Sequence, residues 1–162
     1  MKLTVGPIPV WFNRHSGLDA QFLQMCRAAP ITFTEAGQAN DDCWNADHYE
    51  IVLGKDTRGD LFNRAASLTL MNQFYPPDVM INTSDFGLEN RPVRAGDRVL
   101  QRIRILQIAG RPVYEILTVN EITKVIQEDR RAGFTYATTT IHSEIGEFAP
   151  TVEWRENDEV VL

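Results

Sequence analysis

The chain changes its hydrophobic rhythm near the middle. Up to about residue 75 the apolar positions recur at helical spacing; from about residue 98 they alternate. Ser16 is placed to cap a first helix, with Asp19 three residues on as an acidic variant of the capping box. Leu18, Phe22, Cys26 and Ala29 share a face there, with Met25 beside them, and Pro30 ends the helix. Residues 31–47 read as a polar, turn-rich connection, and 48–54 as a short strand broken at Gly54. Asp56 or Thr57 then caps a second, amphipathic helix of about four turns over 60–75. Leu61, Ala65, Leu68 and Asn72 form one line along it and Phe62, Ala66, Thr69 and Gln73 the next; Leu61, Ala65 and Leu68 are expected to be buried. Pro76-Pro77 is the expected stop.

Period-two alternation over 98–108 and 113–122, around a turn at Ala109-Gly110, predicts an antiparallel hairpin. Residues 123–130 continue the pairing, Glu128 to Arg131 make a solvated turn, and 133–142 and 147–155 are two more strands. A stub, Val160-Val161-Leu162, either closes the sheet or marks a shortened chain. Helices first and strands later predict a single α+β domain over 1–162: a meander of about five strands, up to seven, packed on a long helix. Residues 1–47 would form an N-terminal helix and extended arm upon it. A hot-dog fold, in which dimers and thioester substrates are usual, is the alternative architecture. The polar flank Asn63, Arg64 and Ser67 instead favours a helix lying over a sheet.

Composition narrows the function classes. With 162 residues and 43% apolar content, one core is within reach. A net charge of −6 without a basic stripe argues against nucleic acid. No apolar run approaches the ~18 residues of a membrane span, and the N-terminus lacks a signal-peptide core, so a cytoplasmic protein is expected. Cys26 and Cys43 make neither a disulfide framework nor a zinc site. Trp11, Trp44 and Trp154 read as packing residues.

The densest polar cluster spans 136–147. On a straight strand Phe134, Tyr136, Thr138, Thr140 and His142 share a face that runs from apolar to hydroxyl to imidazole. Such a row suits a cavity that is apolar inside and polar at its mouth. His142 and Glu147 are the candidate catalytic pair, base and orienting carboxylate. They would face each other across a short turn in which Gly146 supplies a positive φ. No metal-ligand spacing, P-loop, dinucleotide fingerprint or nucleophile elbow occurs, and no cofactor is implied.

The stretch Phe134-Thr135-Tyr136-Ala137-Thr138-Thr139-Thr140-Ile141-His142-Ser143-Glu144-Ile145-Gly146-Glu147 resembles the signature of domain of unknown function 1990, also called uncharacterised protein family 0548. Phe134, Tyr136, Thr138, His142, Gly146 and Glu147 match it, whereas Ala137 and Thr139 stand where Gly and Leu are usual. Val52-Leu53-Gly54 with the following helix, the segment 31–37 and Gly96-Asp97-Arg98-Val99 extend the resemblance in order along the chain. The resemblance implies helices on a curved antiparallel sheet, similar to helix-grip (START-like) proteins, and a C-terminal helix that would follow Leu162. It implies no reaction. A small apolar molecule enclosed by Leu68, Ile103, Phe134, Tyr136 and Thr138 is the leading expectation. An enzyme using His142 in the same pocket, or a structural or oligomer-forming domain, are the alternatives.

Overall fold

The computed structural model describes residues 2–5, 8–11, 18–34, 45–108 and 111–162, and the side chains of those from 18 on, save at 108, 111 and 112. Ser16, Cys43 and the turn at 109–110 lie outside them. In chain order the elements are β1 (Lys2–Val5), β2 (Ile8–Trp11), α1 (Asp19–Met25), β3 (Val52–Lys55), α2 (Asp60–Leu70), β4 (Met80–Ser84) and α3 (Asp85–Leu88). They continue as β5 (Arg98–Ile108), β6 (Arg111–Glu128), β7 (Arg131–Thr138), β8 (Glu147–Phe148), β9 (Thr151–Trp154) and β10 (Glu159–Val161).

Among the described residues, β1 and β2 form a separate antiparallel ribbon. The other eight strands form one curled antiparallel sheet in the order β3-β10-β9-β7-β6-β5-β4, with β8 also paired to β7. The expected hairpin is present: Arg98 lies opposite Glu121 and Gln101 opposite Thr118. The expected third strand is instead the far end of β6, which runs on to Glu128. The C-terminal stub is β10, seated between β3 and β9. The predicted strand 147–155 is two strands, parted at Ala149-Pro150. Pro150 crosses over Gly133, where a Cβ would lie 2.2 Å from the Pro150 carbonyl oxygen, so the close approach of these chains requires glycine.

The sheet is covered on both faces. On one, α1 sets Phe22, Leu23 and Cys26 against Leu100, Leu117 and Val119. Its start differs from the expected capping box. Asp19 is the first helical residue, and its carboxylate pairs with the buried Arg102, which also reaches Glu115 at 2.9 Å. Met25 and Leu18 are exposed. Burial pushes the Cys26 thiol up, against a smaller opposing effect of Arg98, so it is a packed apolar group and not a thiolate.

The other, inner face carries α2. Asp56 caps it: one carboxylate oxygen accepts from the main-chain N–H of Arg58 (3.0 Å) and Gly59 (2.8 Å), the other from Phe62 (2.9 Å). Gly59 is the N-cap residue, at a φ of 87° that glycine adopts freely. The helix is shorter than predicted and turned by one residue. Its buried line is Phe62, Ala66 and Thr69, because Phe62 stacks on Trp154 of β9 at 6.0 Å. Leu61 and Ala65 flank that line half-buried, whereas Leu68, expected to be buried, is 38% exposed. Nor do the prolines end the helix. Asn72 takes φ 55°, its N–H reaches the Thr69 carbonyl (2.8 Å), and the Gln73 N–H reaches that of Leu68 (2.8 Å). This is a Schellman stop with asparagine in the left-handed position. Asn63, Arg64, Ser67 and Leu68 face outward, so α2 lies over the sheet and is not wrapped by it as a hot-dog helix would be.

Candidate functional site

Cross-strand neighbours share a face, so the pairing register defines the inner surface near the β4 edge. Met80, Asn82 and Ser84 lie opposite Ile103, Gln101 and Val99; these lie opposite Ile116, Thr118 and Asn120; and Asn120 lies opposite Thr138. A patch of amides and hydroxyls thus interrupts an otherwise apolar face. Tyr136 completes it: its oxygen accepts from Gln101 Nε2 at 3.2 Å, and Asn120 Nδ2 donates to Gln101 Oε1 at 3.0 Å. The Tyr75 hydroxyl hydrogen-bonds to that of Tyr136 from the segment after α2.

A cleft of about 540 Å³ lies between residues 71–77, β4 and the end of α3; of this patch Asn82 and Ser84 line it. Met71, Pro77, Met80 and Leu88 supply apolar wall, and Asn72, Tyr75 and Asn82 supply polar groups. The Schellman stop is what carries Asn72 to this place. Asn82 Nδ2 donates to the Asn72 main-chain carbonyl at 2.9 Å, which fixes the orientation of the Asn82 amide. That leaves Asn82 Oδ1 and both side-chain atoms of Asn72 enclosed without a hydrogen-bond partner, as are Thr118 Oγ1 and Asn120 Oδ1 behind them. Such groups each cost about 1–3 kcal/mol when unsatisfied.

Burial pushes the Tyr75 hydroxyl well up, helped by Tyr136. Burial likewise raises Tyr136, against the hydrogen bonds from Gln101 and Tyr75. Both phenols are therefore neutral donors and acceptors at physiological pH.

The sequence-derived residues divide. Phe134, Tyr136 and Thr138 do share the inner face with Ile103, as their alternation indicates. Phe134 is wholly buried beside Tyr136, Val99 and Ile122 as core. Ile103 lies opposite Met80 of the cleft wall. The Thr138 hydroxyl accepts from the Gly146 N–H (3.0 Å), donates to the Gly146 carbonyl (3.1 Å) and meets Thr32 Oγ1 at 2.8 Å, so it stitches a loop to the sheet. Leu68 lies outside the cleft lining.

His142 is not on the strand, because β7 ends at Thr138. It sits within a loop whose flanks are Thr138 and Glu147, longer than the tight turn expected, and Gly146 does not adopt a positive φ. Glu147 lies opposite Ala137 in register, and the His142 ring accepts at Nδ1 from the Glu144 main-chain N–H at 3.0 Å. Burial lowers the imidazole pKa, against the hydrogen bond and charge of Glu144, so the ring is neutral at pH 7. Asn72, Tyr75 and Asn82 went unnoticed in the sequence. The available signal was an asparagine in line with Leu61, Ala65 and Leu68.

A second cavity, about 310 Å³, lies among Arg27, Asp85, Glu89, Arg91, Asp97 and Arg98. Its charges largely answer one another: Arg27 meets Asp85 at 2.8 Å and Arg91 meets Asp97 at 2.6 Å. Among the described residues no three His, Cys, Asp or Glu gather to hold a metal, and no helix is long and apolar enough to cross a membrane.

Residues 28–162 match the family described as domain of unknown function DUF1990. The chain belongs to this family. Comparison with curated proteins and with solved structures returns no match. The DUF1990 match contains every residue that lines the cleft.

Proposed function

We propose that this DUF1990 protein is a small-molecule-binding module whose ligand enters the cleft over β4. The observation that carries the reading is the cleft itself, about 540 Å³, lined by the apolar Met71, Pro77, Met80, Ile81 and Leu88 and by polar residues that are all uncharged. The ligand is a small molecule with an apolar body and a hydrogen-bonding end. The helix laid across a curled sheet supports a helix-grip (START-like) comparison, which by itself carries no ligand.

Binding is favoured over catalysis in this cleft. The phenol of Tyr75 is held neutral, and His142 is absent from the lining. Native mass spectrometry of the protein purified from its host tests the proposal. A non-covalent mass adduct that is lost when Asn72 and Asn82 are both replaced by alanine is expected. An adduct-free spectrum, with no small molecule raising the melting temperature, would contradict it.

A further inference from the structure

The cleft touches all the residues of β4, Met80 to Ser84, in succession. Successive side chains of a strand point to opposite faces, so a cavity lying on one face would meet alternate residues. A cavity that meets every residue runs along the strand's edge. Among the described residues that edge is free: β4 ends the sheet, and its other side pairs with β5. The register says which groups the edge offers. The Arg104 N–H donates to the Val79 carbonyl at 2.9 Å, so Val79, Ile81 and Thr83 turn their main-chain groups toward β5, whereas Met80, Asn82 and Ser84 turn theirs away from it. The Pro76 carbonyl accepts from the Met80 N–H at 3.0 Å and closes that end of the edge. Beyond it, the Met80 carbonyl and the Asn82 N–H and carbonyl meet no strand. The opposite edge of the sheet is not equivalent. The register of β3 against β10 slips, and a bulged edge is a poor template for pairing. β4 keeps one register against β5 from Met80 to Ser84.

We propose that the ligand is a short peptide, about three residues in extended form, which adds to the edge of β4 as a further strand. Running antiparallel, its first residue faces Asn82, donates to that carbonyl and accepts from that N–H, and its third residue donates to the Met80 carbonyl. The middle residue turns its main-chain groups away from β4. Main-chain bonds hold the peptide whatever its sequence, and Met71, Pro77 and Leu88 across the cleft select apolar side chains. Met71 and Leu88 are each more than half exposed, so a side chain seated on them removes apolar surface of both partners from water. This rests on the binding role proposed above and adds the ligand's chemical class.

The test titrates acetyl-trileucine amide against the full chain, beside three analogues methylated on the nitrogen of the first, second or third leucine and beside decanol, an apolar molecule without a peptide group. Nitrogen-edited NMR follows binding and amide hydrogen exchange. In the free protein the Ile81 and Thr83 N–H groups should exchange slowly and that of Asn82 fast, and the peptide should slow Asn82. Methylation of the first or third leucine should weaken binding about tenfold, the usual worth of a lost hydrogen bond, while methylation of the second leaves it nearly unchanged. A slowly exchanging Asn82 N–H in the free protein, or analogues that all bind as the parent does, would overturn the proposal. Decanol binding in the cleft where the peptide does not would overturn the peptide class and leave the binding role standing. If neither shifts a cleft resonance and native mass spectrometry finds no adduct, both fall.

Discussion

Asp56 and Asn72 bracket α2, and only one was readable in the sequence. An N-cap is a local arrangement: an acidic residue just ahead of a helical stripe has main-chain donors within reach whatever the rest of the chain does. Asn72 depends on the whole fold, since a helical line of apolar residues does not reveal where tertiary packing will end it or whether a polar member is enclosed. Asp56 also makes a pH prediction. Burial raises its pKa, but the donors of Phe62, Arg58, Gly59 and Leu61 outweigh that and hold it below the ordinary 3.8. A carboxyl lowered in the folded state contributes stability above about pH 4, and this is lost as pH falls through the folded value. Asp56→Asn is therefore expected to melt earlier than the native protein at pH 7, with the gap closing on acidification. Thermal melts from neutral to strongly acidic pH check this; a gap of constant size would exclude the carboxylate as its source.

Among the elements, the long strands were legible because alternation over 98–108 and 113–122 leaves little choice of structure. The stretch between Asp78 and Ala95 was not. β4 is a five-residue edge strand, half-buried along most of its length, and α3 is a single turn, so neither imposes a period. The late strands were misjudged where a close chain crossing, Pro150 over Gly133, splits one run into two. The facing of α2 turned on one aromatic: Phe62 against Trp154 rotates the buried line away from Leu68. Phe62→Ala should cost about 3–5 kcal/mol, the usual loss for an enclosed aromatic. Leu68→Ala should cost no more than about 1 kcal/mol, because its side chain is partly solvated already. Denaturant titration of the two variants checks the rotation, and the reverse order would place Leu68 and not Phe62 on the sheet.

For the whole molecule, a curled sheet roofed by a three-turn helix and its trailing loop leaves a cleft over the edge strand. The apolar-to-polar row along β7 ends with the strand at Thr138, and His142 departs into a loop. The proposed binding role rests on a cleft lined by uncharged groups alone.

A high-resolution crystal structure of protein purified from its host, grown without organic additives, tests that claim most directly. Continuous density larger than a water cluster is expected in the cleft, against Tyr75, Met80 and Asn82. A cleft holding only separate waters, or one closed by the side chains of Met71 and Leu88, would contradict it.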